Sequence, residues 1–519
     1  MNMNRHRFLA TLAFLLGLVF NAGAQRDPVI AASITNSGGM VVSWNAQSAT
    51  PSGDLVLIPQ YQVLRSGDLQ SWTLLGGLVT GALNQQLCVT DTVSPGGMAF
   101  YQVQSIIDQE YAQLENAALA SGQLSGADFF GAELFGATLD QSSLNGVNFS
   151  AADLRDASLD GVNLTGGNLF YVEASDVAFD NSVLSGIDAR FGDFDAASLA
   201  YTDLSQADFR SAILTDADFS FASMRGMILD SNTVIDLKPA LVWQIVNVGA
   251  PGANLTGQNL SQALLNNANL NGANLTGVNL DQSELEGTDL RGANLTGAAL
   301  QFVDFTGTLI DSNTVLSAGG QLVWEIVNQG APGSNLTGAN LSFAFLENAN
   351  LNGANLGSAN LDQSDLSGAD LRNANVTGAN LTLVNFNQTL INANTLLSPQ
   401  ALLVWQIQNQ GAAGRDLASS NLVSTYLDAA DLSDANLSGA DCANAIFPAV
   451  NLVDANLTQA NFSDCELEQA NLTGANMTQG IFSGADFTDA ILLDATTNGA
   501  NFTGATFRHT VMPDGSIQN

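Results

Sequence analysis

Carboxylates two residues apart are the side chains best placed to do chemistry in this 519-residue chain. Asp193 with Asp195, and Asp216 with Asp218, have the spacing of an acid/base couple or of calcium ligands. Either role needs further groups, and the sequence does not supply them. The two histidines are His6, close to the start, and His509, close to the end. No Ser/His/Asp set, metal-ligand cluster or phosphate-binding loop stands out. The expectation is therefore no catalytic residue, no metal and no cofactor, with the Asp pairs lying on a solvated face. Three cysteines cannot all pair within one chain. Cys442 and Cys465 lie close enough in sequence to become near neighbours, and an oxidising compartment would permit a disulfide between them. Bridge geometry is strict, so two small buried thiols are the favoured reading. Asn-Leu-Thr recurs as an apparent glycosylation acceptor, but a short repeated consensus generates the triplet by itself.

That consensus is a five-residue beat. From Leu114 to Met512 an apolar residue returns at every fifth position, usually with a small residue two places before it. Ala253-Asn254-Leu255-Thr256-Gly257 is repeated letter for letter at Ala293-Asn294-Leu295-Thr296-Gly297. Five fits neither the helical period of 3.6 nor the strand period of two. It implies a stacked coil with inward side chains at fixed intervals. Four ladders follow the beat: 114–229, 255–310, 336–391 and 417–512, with 24, 12, 12 and 20 units. The inserts between them, 230–254, 311–335 and 392–416, shift the register by one and recur at 81-residue spacing. They open on Asp230-Ser231-Asn232-Thr233, Asp311-Ser312-Asn313-Thr314 and Asn392-Ala393-Asn394-Thr395.

Each insert then reads as a short helix. In the first, Pro239 sits near the first turn, and Leu241, Val242 and Ile245 can share a face. Gly249, Gly330 and Gly411 suit left-handed helix caps. Trp243, Trp324 and Trp405 occupy one equivalent place. Packing of the helix on the coil accounts for them. The sharper alternative is a repeated row of partner-binding anchors.

The Ala-Asp/Asn-Leu units resemble the pentapeptide-repeat proteins over about four-fifths of the chain. The resemblance implies an all-β fold, a right-handed quadrilateral β-helix with four units per coil. It also implies that the central Leu/Phe and the small residue two before it point inward while the other three face solvent. At the usual strand separation of about 4.8 Å the stack would reach roughly 80 Å. Glycine, present 49 times, fits its corners.

The ends differ. Residues 1–24 read as an export signal: Arg5 and Arg7, then an apolar run from Phe8 to Phe20, then Ala22-Gly23-Ala24 as a cleavage site. The run is short of the roughly 20 residues a membrane span needs. The expected product is exported: periplasmic, secreted or at the cell surface. Residues 26–107 hold strand-like runs, Val41-Val42-Ser43-Trp44, Tyr61-Gln62-Val63-Leu64-Arg65 and Phe100-Tyr101-Gln102-Val103-Gln104. They resemble a fibronectin type III-like β-sandwich, with Trp44 and Tyr101 in its core. Asp108–Asn116 and the tail 513–519 are placed to cover the open coil edges.

Charge narrows the partners. Thirteen basic and 49 acidic residues give a formal net charge of −36, which repels nucleic acid and anionic membrane. β-Helical polysaccharide-cleaving enzymes gather basic and acidic groups on one face, whereas Arg155, Arg190, Arg210, Arg225, Arg291, Arg372, Arg415 and Arg508 are scattered along the ladders. The leading expectation is a non-catalytic scaffold with an unidentified protein partner, assembly with further copies being left open. A carbohydrate- or calcium-associated surface protein is one alternative. Some cytoplasmic pentapeptide-repeat proteins resemble duplex DNA in shape and charge and bind DNA gyrase; export argues against that second alternative.

Overall fold

A computed structural model describes residues 114–518 and, before them, the backbone of seven strands between residues 30 and 106. Residues 1–24, Asp108–Gln113, and the side chains of Trp44, Cys88 and Tyr101 fall outside the described residues. The chain divides into two compact units, Met1–Val248 and Gly249–Asn519. In the N-terminal region two antiparallel sheets form. One has the order β1 (Ile30–Ile34), β2 (Met40–Asn45), β6 (Gln86–Asp91); in the other β3 (Gln60–Ser66) pairs with β4 (Thr73–Leu74), β5 (Val79–Thr80) and β7 (Phe100–Ile106).

The coil is built from backbone hydrogen bonds that the five-residue unit can satisfy almost completely. The central N–H donates to a carbonyl on the following coil, as Leu361 does to Asn380 (2.9 Å). The corner residue two places later does the same, as Ser121 does to Asp140 (2.7 Å). The residue before the centre donates to the preceding coil, as Thr138 does to Ala117 (2.9 Å), and the third residue after it closes a turn, as Ala117 does on Leu114 (3.0 Å). The remaining N–H, just after the centre, is met by an Asx side chain just before it. Asn148 Oδ1 accepts from Ser150 in this way (3.2 Å), and Asn163 Oδ1 from Thr165 (3.1 Å). Asp or Asn before the centre is therefore an Asx-turn device, placed where the backbone would otherwise lack a partner. Parallel bridges join each position to the one four units on, from Ala118 with Thr138 onward, so four units make one coil.

Burial follows the same register. Phe129, Leu134, Leu139 and Leu144 and the small residues Ala127, Ala132 and Ala137 lie inside. Each buried Leu or Phe contributes about 1.5–3 kcal/mol. Buried hydroxyls at the small position donate to a central carbonyl of the preceding coil, as Ser142 does to Leu119 (3.0 Å) and Thr288 to Leu265 (2.7 Å). Ser283 and Ser364, at equivalent places in the duplicated segments, leave their Oγ without a partner. Glycine is not the main occupant of the left-handed corners. Among the described residues more than half of the positive-φ positions carry a side chain, Tyr171 (φ 57°) and Phe221 (φ 56°) included. A left-handed L-residue costs about 1–2 kcal/mol, and here the corner N–H bond between coils enforces it.

The inserts are more finely divided than the sequence pattern suggests. Their opening residues still belong to a coil. Ile213–Leu214 (β8) pairs in parallel with Val234–Ile235 (β9), one residue beyond the regular coil length, and Asn294 bridges Val315 with the same excess. The extra residue lies in the turn between. Asp311 Oδ1 accepts from the N–H groups of Gly292 (2.9 Å), Asn313 (3.0 Å) and Thr314 (3.1 Å), and Thr314 Oγ1 donates to Leu290 O (3.0 Å).

Helices α1 (Leu237–Asn247), α2 (Ala318–Gln329) and α3 (Pro399–Gln410) come only after that turn. Ser317 and Ser398 cap α2 and α3 at their N-termini. Within the second unit, Ala331 rejoins the ladder by donating to Asn350 O (2.8 Å). Between Val315 and Ala331 two coil sides are missing, and α2 stands in their place. The flanking coils close directly at one corner: Phe302 donates to Phe343 O (2.7 Å) and Leu383 to Ser424 O (2.9 Å), each a step about twice as long in sequence as a regular coil.

The glycines after the helices are a correction to the left-handed cap. Gly330 (φ 72°, ψ 164°) and Gly411 (φ 72°, ψ 168°) have positive φ with extended ψ, a region essentially reserved for glycine. They turn the chain out of the helix into the next coil side. A left-handed helical residue would have curled it back.

At the C-terminus Thr510–Val511 (β10) pairs antiparallel with Ile517–Gln518 (β11), while Val511 bridges Ile491 below. The tail thus folds a hairpin over one side of the last coil.

Candidate functional site

Three of the four paired carboxylates brace the coil. Asp193 Oδ1 accepts from the N–H of Asp195 (3.2 Å), and Asp218 Oδ1 from the N–H (2.9 Å) and Oγ (2.6 Å) of Ser220. The Asp195 carboxylate also takes the hydroxyl of Thr215 on the next coil. No group of three or more metal-ligating side chains gathers among the described residues. His509 lies on the surface with Nδ1 3.4 Å from Asp489.

Cys442 and Cys465 are free and buried. They stand one coil apart, in the relation by which the buried Ser142 hydroxyl reaches Leu119. Burial pushes the Cys442 thiol far above its ordinary range, which removes thiolate chemistry.

Five of the arginines have a local acidic partner. In Asp153-Leu154-Arg155, Asp188-Ala189-Arg190, Asp208-Phe209-Arg210, Asp289-Leu290-Arg291 and Asp370-Leu371-Arg372 the guanidinium closes on the Asp two residues before it, at 2.6–2.8 Å. That hydrogen bond holds the Asp289 and Asp370 carboxyls down at about 2. These cations are therefore neutralised in place, and the acidic surplus stands on the outer faces. Burial, with Asp180 and Asp140 alongside, raises the Asp160 carboxyl.

The three tryptophans bind the helices to the coils. Each indole N–H donates to a coil carbonyl: Trp243 to Met227 (2.7 Å), Trp324 to Thr308 (2.8 Å) and Trp405 to Thr389 (2.7 Å). All three rings are half-buried. One turn on, Asn247, Asn328 and Asn409 donate to Met224, Phe305 and Phe386 carbonyls at 2.9–3.0 Å. In α3 the amide of Gln408 adds a splice: it accepts from the Phe386 N–H (2.9 Å) and donates to Tyr426 O (2.7 Å), standing in for the absent strand.

A different set of aromatics faces solvent. Tyr171 (55 % exposed) stacks on Phe191 (44 %) at 4.9 Å, one coil apart on one corner column. Tyr201 (58 %) stacks on Phe221 at 4.7 Å on another column, two coil sides away. The Arg190 guanidinium lies 5.3 Å from the Phe170 ring, which edges against both Tyr171 and Phe191. These four residues, Tyr171, Phe191, Tyr201 and Phe221, all have positive φ. The sequence carried a signal for them: a bulky aromatic two places after the centre, where most other units have Gly, Asn, Asp, Gln, Ser or Ala. Apolar periodicity alone does not separate that position from the core.

With this geometry in place the class is a repeat solenoid whose side chains are set by a five-residue register. The family model described as pentapeptide repeats (8 copies) matches residues 132–186, 193–229, 252–310, 332–388 and 416–513 in overlapping segments. The chain belongs to the pentapeptide-repeat family, whose members fold as right-handed β-helices and are generally non-catalytic structural or interaction proteins. Similar solved structures include HetL, a pentapeptide repeat protein involved in heterocyst differentiation regulation in the cyanobacterium Nostoc sp. strain PCC 7120. It is 17% identical, the match covers 78% of this chain and 94% of that one, and the TM-score is 0.14. A pentapeptide repeat protein of the Arabidopsis thaliana thylakoid lumen is 21% identical, with 21% and 72% coverage and a TM-score of 0.15. QnrB1, a plasmid-mediated fluoroquinolone resistance protein, is 15% identical, with 52% and 90% coverage and a TM-score of 0.13. No curated protein sequence matches. Among the described residues no helix is long and apolar enough to cross a membrane.

Proposed function

We propose that this protein is an exported, non-catalytic scaffold that holds a protein partner on exposed aromatic corners of an acidic coil. The observation that carries the reading is the pair of solvent-facing stacks, Tyr171 on Phe191 and Tyr201 on Phe221. Large aromatic rings left in solvent add little to the core, and exposed clusters of them mark interaction surfaces. Aromatic anchors amid uncompensated carboxylates suit a partner with apolar and basic groups. Export rests on the signal-like residues 1–24. The N-terminal strands are proposed to form a fibronectin type III-like β-sandwich that spaces the coil from its attachment; the pairing of β1, β2 and β6 and of β3, β4 and β7 supports that reading. Trp243, Trp324 and Trp405 are assigned to helix packing, on the strength of their hydrogen bonds to coil carbonyls.

The test replaces Tyr171, Phe191, Tyr201 and Phe221 by Asn, a residue common at these corners. The variant should keep its unfolding midpoint and lose a partner that the wild-type protein binds. Equal binding by both proteins would remove the aromatic corners from the account, and finding the unprocessed chain in the cytoplasm would remove export. A DNA-mimicking gyrase modulator is the second reading, favoured by the net charge of −36 and by the local neutralisation of five arginines. A cytoplasmic location together with inhibition of gyrase supercoiling would establish it instead.

A further inference from the structure

The duplicated segments let one copy be read against another. In the second unit, the corner where the coils close beside α2 is filled by Phe302 and Phe343, whose rings meet edge to face at 5.6 Å. At the equivalent corner beside α3 stand Leu383 and Ser424. Two rings are replaced by one aliphatic side chain and one hydroxyl. A cavity of about 210 Å³ lies at this place, between residues 379–386, the N-terminal half of α3 and residues 423–426.

Its lining is specific in chemistry. Every side chain in it is uncharged, although the chain as a whole carries −36. Ser424 and Tyr426 supply hydroxyls to a mostly polar lining, Asn380 and Thr382 are bonded to each other and to Asn360, and Val384, Val404 and Phe386 give a smaller apolar part. The Ser424 and Tyr426 hydroxyls bond to no described residue, and the Leu381 N–H lacks the carbonyl that a central N–H finds on the following coil of an unbroken ladder. Burial, with Asp428 and Asp365 nearby, pushes the Tyr426 hydroxyl up to about 12, so it stays a neutral donor. Open donors facing a cavity favour a ligand rich in hydroxyls. The volume is below the ~300–1,000 Å³ of sites for drug-sized ligands. No charged side chain lines the cavity, and the nearby Asp428 and Asp365 disfavour phosphates and carboxylates.

We propose that the cavity beside α3 is a binding site for a neutral pyranose, either free or at the end of a glycan. The ring's CH face would lie against the apolar part and its hydroxyls would meet Ser424, Tyr426 and the open backbone. The proposal is independent of the aromatic corners and of export.

The experiment titrates the full chain with D-glucose, D-galactose and D-mannose, and in parallel with their methyl glycosides and linear trisaccharides, reading ligand-observed NMR. At least one neutral sugar should bind in the millimolar range; tighter binding of the trisaccharide would assign the site to a glycan end. Leu383→Phe with Ser424→Phe installs the pair already accommodated at the second copy, and Phe343 already holds the left-handed corner conformation (φ 57°). This variant should fold as the wild type does and weaken binding by about tenfold or more. Tyr426→Phe, which keeps the ring, should weaken it by a smaller factor. No binding of any sugar by the wild type, or unchanged binding by the Phe/Phe variant, would overturn the proposal.

Discussion

Trp324→Phe separates a tryptophan that holds the helix from one kept for a partner. The substitution keeps an aromatic ring in the half-buried slot and deletes the N–H that reaches Thr308 O at 2.8 Å. A buried acceptor left without its donor costs about 1–3 kcal/mol. Trp324→Ala also removes the ring. Full truncation in a core costs about 3–5 kcal/mol, and half-burial puts this site near the lower end. Solenoids transmit stability mainly between neighbours, so a global midpoint would dilute the effect. Amide hydrogen exchange resolves it. In Trp324→Phe, peptides spanning residues 300–335 should exchange faster by about 5- to 150-fold, at 1.4 kcal/mol per tenfold. Peptides spanning 381–416, which carry the equivalent Trp405 contact, should be unchanged. If neither Trp324→Phe nor Trp324→Ala altered exchange, the indole would not be a packing residue, and the partner-binding row would become the better reading.

Gln408→Val gives α3 the residue that α2 carries at the equivalent place, Val327; it should cost about 1–3 kcal/mol by opening Phe386 N–H and Tyr426 O, seen as faster exchange at 384–388. Ser283→Ala and Ser364→Ala remove buried hydroxyls that have no partner, so each should leave stability unchanged or raise it by up to about 1 kcal/mol in urea unfolding. Ser142→Ala, which deletes a satisfied bond to Leu119 O, should lower it instead. Stability should also depend on pH with a maximum on the acid side. Asp160 and Glu466 have raised carboxyls, so their protonation, with relief of like-charge repulsion, stabilises the fold as pH falls towards the ordinary carboxyl range near 4. Asp289 and Asp370 are held at about 2, so their contribution is present above the ordinary carboxyl range near 4 and is lost as pH falls through about 2. Melting scans should therefore rise and then fall on acidification; a monotonic decline from pH 7 would contradict this balance.

The coil was legible because its determinants are local and repeated. Leu255, Leu275 and Leu295 each state the same inward position, and no long-range pairing has to be guessed. The inserts were legible as helices from Trp243, Trp324 and Trp405 and their neighbours, and the tail as an edge cover. What the pattern concealed was geometry. The one-residue shift sits in the Asp311–Thr314 turn, ahead of α2, because a coil side continues to Val315. Gly330 and Gly411 combine positive φ with extended ψ, a distinction that residue type does not carry. The reason for Asn254 and its equivalents became visible only once the N–H after the centre was seen to need an acceptor. The Phe302–Phe343 pair and its loss at Leu383 and Ser424 could be aligned by sequence, but only the fold shows that Ser424 borders a cavity beside α3.

In this fold, positions four units apart are neighbours along a column. Asp416, Asn436, Asn456, Asn476 and Thr496 form such a column by successive bridges. Spin labels at Asp416 and Thr496, on single-cysteine sites in a Cys442→Ala, Cys465→Ala and Cys88→Ala background, should be four strand separations apart. Pulsed electron resonance should give a narrow distance near 20 Å, at about 4.8 Å per coil plus label length. A broad distribution, or a mean above about 40 Å as for an expanded chain of the same length, would contradict the account.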